Sequence, residues 1–161
     1  MVNLLNCRWI SFDPATKSLA YSVIDIDLSQ MNSEFIKETR SECIKDSHNQ
    51  PVPEDIKERA EALTSCINFI GGDVVDLFPG VPDKSISRKQ RTKAVSQFLK
   101  TNVNKYLVCD IPVIVLIESQ ISINDKSFQV ETVIASHYSD HHFEIVKPTL
   151  KNLVFINGDD E

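Results

Sequence analysis

Glycine is scarce in this chain, with four among 161 residues. A Gly-rich phosphate loop needs several glycines close together so that backbone amides can approach a nucleotide, so that class of site is excluded. The Gly-x-Ser-x-Gly elbow of the α/β-hydrolases is also absent. No apolar run reaches the length of about 18 residues that spans a bilayer as a helix, so no membrane partner is expected. The N-terminal stretch has neither a basic region followed by a long apolar segment nor a small-residue cleavage site, so no secretory signal is expected. The cysteines stand far apart at 7, 43, 66 and 109, with no Cys-x-x-Cys pair. That spacing predicts buried free thiols in a reducing, intracellular compartment rather than disulfides or structural zinc. What remains is ordinary for one globular domain: 42% hydrophobic residues and 25% charged, enough to bury a core.

The net charge of −6 argues against a general nucleic-acid binder. The distribution says more than the sum. Lys84, Arg88, Lys89, Arg91, Lys93, Lys100 and Lys105 follow one another with no Asp or Glu between them. They are 7 of the 17 cations, leaving 10 cations against 23 anions elsewhere. A polarised molecule is predicted, with Arg88, Lys89, Arg91 and Lys93 on a basic face suited to phosphate.

Alternation predicts strands over 7–12 and 19–26, and a more polar edge strand over 34–44. A turn-rich connector follows, and Pro53-Glu54-Asp55 opens a helix. Ile56, Ala60, Leu63, Ile67 and Ile70 recur at helical spacing, so this helix is expected to run to Gly71-Gly72. Residues 73–83 read as a loop. Ser87 is placed to cap a helix reaching about residue 107. The run 112–118 does not alternate, which predicts a central strand buried on both faces and parallel to the first. A helix from Asn124 or Asp125 to about Tyr138 and a short strand over 142–146 complete the pattern.

The chemistry sits at strand ends. Trp9-Ile10-Ser11-Phe12-Asp13 is an apolar run ending on an acid, followed by a tight turn and a second apolar run. Val113-Ile114-Val115-Leu116-Ile117-Glu118 ends the same way. A carboxylate in such a place costs several kcal/mol unless paired or bound to a cation. Two such strands predict a divalent cation held between Asp13 and Glu118. Hard carboxylate oxygens suit Mg²⁺, and two ions about 4 Å apart can supply both an activated water and leaving-group stabilisation in phosphodiester hydrolysis.

The segments Phe12-Asp13-Pro14-Ala15-Thr16-Lys17, Leu19-Ala20-Tyr21-Ser22-Val23-Ile24, Val115-Leu116-Ile117-Glu118-Ser119-Gln120 and Lys126-Ser127-Phe128-Gln129-Val130-Glu131 carry a resemblance. Over about residues 7–150 the chain resembles the RuvC-like Holliday junction resolvases of the RNase H superfamily, of the poxvirus and iridovirus type. The resemblance implies an α/β, RNase H-like three-layer fold. Its five-stranded mixed sheet would have strands 1-2-3 as an antiparallel meander, with strands 4 and 5 parallel to strand 1 and helices flanking. It implies a Mg²⁺-dependent endodeoxyribonuclease, with Mn²⁺ as substitute, that cuts branched DNA as a homodimer. A viral member would process replicated genomes in the host cytoplasm or nucleus. Asp13 would bridge both ions and Glu118 bind one. Lys147, or Lys151 as second choice, would contact the scissile phosphate, with Lys17 and Gln120 nearby.

The chain departs from that family in two places. Ala15 stands where a Gly is usual. The family's final Asp-x-x-Asp helix is not legible: residues 1–155 read as the nuclease domain and 156–161 as a polar tail. Asp160, in that tail, is the candidate for a third metal ligand. The expectation is a fragment lacking its last helix. The alternatives are an RNase H-like module that binds DNA or protein without cutting, and a piece of an actin-like ATPase or sugar kinase. The latter needs a second Asp-Gly phosphate loop that the sequence lacks. His137, His141 and His142 invite a zinc reading, but Asp140 ends the helix before His141 and no zincin glutamate follows His137.

Overall fold

A computed structural model describes residues 6–29, 54–120 and 125–147. The elements are β1 (Asn6–Pro14), β2 (Ser18–Asp27), α1 (Glu54–Ser65), β3 (Ile67–Asp76), α2 (Arg88–Phe98), β4 (Val113–Glu118), α3 (Asp125–His137) and β5 (His142–Val146). The five strands form one sheet in the order β3-β2-β1-β4-β5. β1 and β2 are antiparallel, as are β2 and β3, whereas β4 runs parallel to both β1 and β5. With its flanking helices, this is a mixed α/β sheet with the strand order and directions that the resemblance implied.

Alternation decides which side of the sheet is covered. Ile10, Phe12, Leu19, Val23, Val115 and Ile117 share one core with Val95 and Phe98 of α2 and Val130 and Ile134 of α3. The two helices therefore pack on one face. β4 is an interior strand, between β1 and β5, and is also buried on its other side, with Ile114 5% exposed. Ser87 caps α2 in a capping box: its hydroxyl accepts from the Gln90 amide, and its own amide donates to Gln90 Oε1 at 2.9 Å. Beyond Phe98 the helix widens into a π turn, Leu99–Val103, and then tightens into a 3-10 turn, Asn104–Leu107. Cys66 and Cys109 are free thiols, and Cys7 is fully buried, its sulfur accepting from Trp9 Nε1 at 3.1 Å. No helix among the described residues is long and apolar enough to cross a membrane.

The third strand is a correction. The expected strand over 34–44 lies outside the described residues. The meander is completed instead by Ile67–Asp76, read from the sequence as helix end and loop. Helix α1 stops at Ser65, and the Cys66 amide closes its last turn on Leu63 O at 3.1 Å. Ile67 and Ile70 fit helical spacing numerically. Yet Ile67, Phe69, Val74 and Val75 are β-branched or aromatic and pair with β2. Gly71 and Gly72 serve close packing rather than helix termination. A Cβ at Gly71 would lie 2.6 Å from Tyr106 Oη, and one at Gly72 would lie 2.7 Å from Tyr21 O.

Candidate metal centre and nucleic-acid face

The parallel register of β1 and β4 pairs Ser11 with Leu116 and Phe12 with Ile117. The next residue on each strand is an acid, Asp13 and Glu118. Phe12 and Ile117 point into the helical core, so by alternation both carboxylates project from the opposite face. Adjacent strands lie about 4.8 Å apart, so two acids at one register position on neighbouring strands stand side by side. Both side chains are half-buried. The structure thus brings together residues separated by most of the chain.

The sheet end around them is built from several contacts. Lys17, in the β1–β2 turn, pairs with Asp76 at 3.2 Å and donates to Val81 O at 3.3 Å. It ties that turn to the segment after β3, and the ion pair and the Phe78 amide, the larger influence, hold Asp76 below the usual carboxylate range. The Ser119 amide donates to Val146 O at 2.8 Å, which sets the end of β5 beside the end of β4. Lys147, exposed, follows Val146 directly and so stands at the same end of the sheet. Gln120 donates from its side chain to Glu118 O at 3.4 Å. Asp160 and Lys151 lie outside the described residues.

Glu131 belongs to the segment 126–131, to which the sequence assigns no chemistry of its own. It is 5% exposed, and its Oε2 accepts the Gln120 amide at 2.7 Å, two residues beyond Glu118. The signal was in the sequence. Ser127, Val130 and Ile134 define the buried stripe of α3, and Glu131 falls on it. A buried acid on an apolar stripe needs a donor, and the chain leaving β4 provides one. Replacing Glu131 by Ala orphans a backbone amide and is expected to cost about 2 kcal/mol in urea unfolding. Glu131→Gln keeps an acceptor there and should cost clearly less.

The basic face is partly corrected. Arg88, Lys89 and Lys93 are exposed and, with Thr92, line a shallow groove. Arg91 is 2% exposed and donates to Asp83 Oδ1 at 3.0 Å. It turns inward because it shares the Asp83 carboxylate with Lys126 at the start of α3, and these two cations hold Asp83 below the usual range, Lys126 being the stronger influence. Arg91 is therefore a buried strut between the loop before α2 and the packed helices. The cations of α2 lie on the helical side of the sheet and the carboxylates on the other, but at the same end. Asp83 and Lys126 join the start of α2 to the start of α3, which follows the acidic end of β4.

Two hard carboxylates side by side suit Mg²⁺, which keeps several waters and is commonly held by one or two carboxylates together with substrate phosphate. No group of three or more His, Cys, Asp or Glu side chains placed to hold a metal ion occurs among the described residues. The described histidines form no such group. His137 Nε2 meets Asn104 Oδ1 at 3.0 Å, His141 stands edge-on to Tyr138, and His142 lies near Glu144 on β5. Burial, with lesser help from Lys100 and His141, pushes the His137 pKa down.

No protein-family model matches the chain, and no curated protein matches it. Solved structures similar to the chain include two of RuvC. Thermus thermophilus RuvC aligns at 12% identity with a TM-score of 0.45, over 88% of this chain and 64% of that one. T. thermophilus RuvC in complex with a Holliday junction substrate aligns at 12% identity with a TM-score of 0.46, over 88% and 66% respectively. The chain thus spans just under two thirds of the length of the RuvC chains it matches.

Proposed function

We propose that the protein is a structure-selective endodeoxyribonuclease that resolves four-way DNA junctions by metal-dependent phosphodiester hydrolysis, in the processing of a viral genome. The observation that carries this reading is the in-register placement of Asp13 and Glu118 at the ends of two adjacent parallel strands. In this reading the Asp13 and Glu118 carboxylates would hold Mg²⁺, which would supply an activated water and charge stabilisation at the leaving oxygen.

The chain's own residues hold the DNA. Lys147 meets the scissile phosphate, with Lys151 as the alternative, and Gln120 orients the strand beside Glu118. Arg88, Lys89 and Lys93 take backbone phosphates of a junction arm, reading shape rather than base edges. Lys17 contributes through the turn it braces. Asp160 remains the candidate for a further ligand. Two copies related by a two-fold axis would place paired cuts symmetrically on a branched substrate.

A second reading is favoured by a specific observation: only two carboxylates stand side by side at this sheet end among the described residues. A module of the same fold that binds junctions without cutting them needs no more. One experiment separates the two. End-labelled synthetic four-way junctions and linear duplexes are incubated with the protein in Mg²⁺, Mn²⁺ or EDTA. Paired, metal-dependent incisions confined to the junction are expected. Junction binding without incision supports the non-cutting module, and neither binding nor incision overturns both.

A further inference from the structure

The buried polar side chains among the described residues are Arg91, Ser127 and Glu131. A carboxylate buried as deeply as Glu131 is costly unless hydrogen bonds offset the loss of water. Arg91 faces an acid, Asp83, whereas Glu131 Oε2 accepts a backbone amide, that of Gln120, at 2.7 Å. A charged acceptor on a peptide N–H makes a short, strong bond. It grips the chain where it leaves β4, two residues after Glu118.

That grip matters because of where the sheet pairing stops. The register of β4 with β1 ends at Ile117, so on that side Glu118 lies one residue past the last pair. Asp13 needs no such support, since β1 and β2 stay paired as far as Pro14 and Leu19. Beyond Glu118 the chain is held by three bonds. The Ser119 amide donates to Val146 O at 2.8 Å, the Gln120 amide to Glu131, and Gln120 Nε2 returns to Glu118 O at 3.4 Å. Helix α3 is itself braced, because Gln129 donates to Arg88 O at 2.7 Å and to Thr92 Oγ1 at 2.8 Å. Glu131 therefore passes the rigidity of two packed helices to the end of a strand.

We propose that Glu131 is a positioning residue of the metal centre. It fixes the Gln120 peptide, and through it the direction in which Glu118 presents its carboxylate. The role rests on the reading of Asp13 and Glu118 as metal ligands. Removing an outer-shell partner of a ligand typically weakens metal binding by about 10- to 100-fold.

The test uses the full chain and Mn²⁺ alone, with free ion read by electron paramagnetic resonance and amide exchange by NMR. Glu131→Ala is expected to weaken Mn²⁺ binding by about tenfold or more and to open the Gln120 amide to exchange. Glu131→Asp withdraws the acceptor by one carbon and is expected to lose affinity in the same direction. Glu131→Gln keeps an acceptor in place, and should stay within about threefold of wild type with the amide protected. Val103→Ala controls for stability alone. Val103 is fully buried, and its neighbour Asn104 meets His137, the last residue of α3. Its truncation is expected to lower Tm and leave Mn²⁺ affinity unchanged. Wild-type affinity in whichever of the Ala and Asp variants folds overturns the proposal and leaves the metal site standing. So does a Gln variant as weak as the Ala or Asp one, or an equal loss in Val103→Ala. A wild-type chain that binds no Mn²⁺, or binding that survives Asp13→Asn, overturns the metal reading itself and this role with it.

Discussion

Asp13→Asn is expected to abolish junction cutting, lowering the rate by about a thousandfold or more, while junction binding in Ca²⁺ or EDTA stays within a few-fold of wild type. A thousandfold loss corresponds to about 4 kcal/mol of transition-state stabilisation. The substitution keeps the side chain's size and its place in the β1–β2 hairpin, but removes the charge that holds the cation. In the proposed site Asp13 would help hold the metal that supplies the activated water and the leaving-group stabilisation, so its loss would remove both. Glu118→Gln should act in the same direction. The double variant should be little worse than either single one, because groups that act as a unit are not additive. Single-turnover cutting measured beside a gel-shift isotherm reads both quantities. Unchanged cutting by Asp13→Asn would end the nuclease assignment.

A second large effect is expected on stability. Ile117 and Ile145 are register partners on neighbouring strands and share a face. Ile117 is fully buried under the helices, whereas Ile145 is 50% exposed at the sheet edge. Truncating Ile117 to Ala removes three carbons from a packed core and should cost about 2–5 kcal/mol, a drop in Tm of roughly 10 °C. That is a large share of the total stability of a typical domain. Ile145→Ala should cost less than about 1 kcal/mol, since its loss opens no internal cavity. Paired thermal and urea unfolding checks the contrast. Equal effects at the two positions would mean that β5 is not the edge of the sheet.

Much of this protein is written locally. The alternation in β1 and β2, the unbroken apolar run of β4, the Ser87 cap and the short β5 all follow from side-chain period and turn chemistry, which act over a few residues. The acids at 13 and 118 stood out for the same reason, as charges that end apolar runs. Tertiary structure decided the rest. Whether Ile67–Asp76 became helix or strand depended on an open edge of β2, whose bonds a distant segment could satisfy. Arg91 looked like one more cation of a basic face until Asp83 and Lys126 drew it inward. Glu131 acquired a role only when α3 docked beside the exit of β4.

The sequence alone determined which residues carry charge into apolar surroundings, because that depends on neighbours in the chain. Only the folded sheet decided which of those charges stand together. Strand pairing is a long-range choice, made by backbone hydrogen bonds and shared burial, and no local period records it.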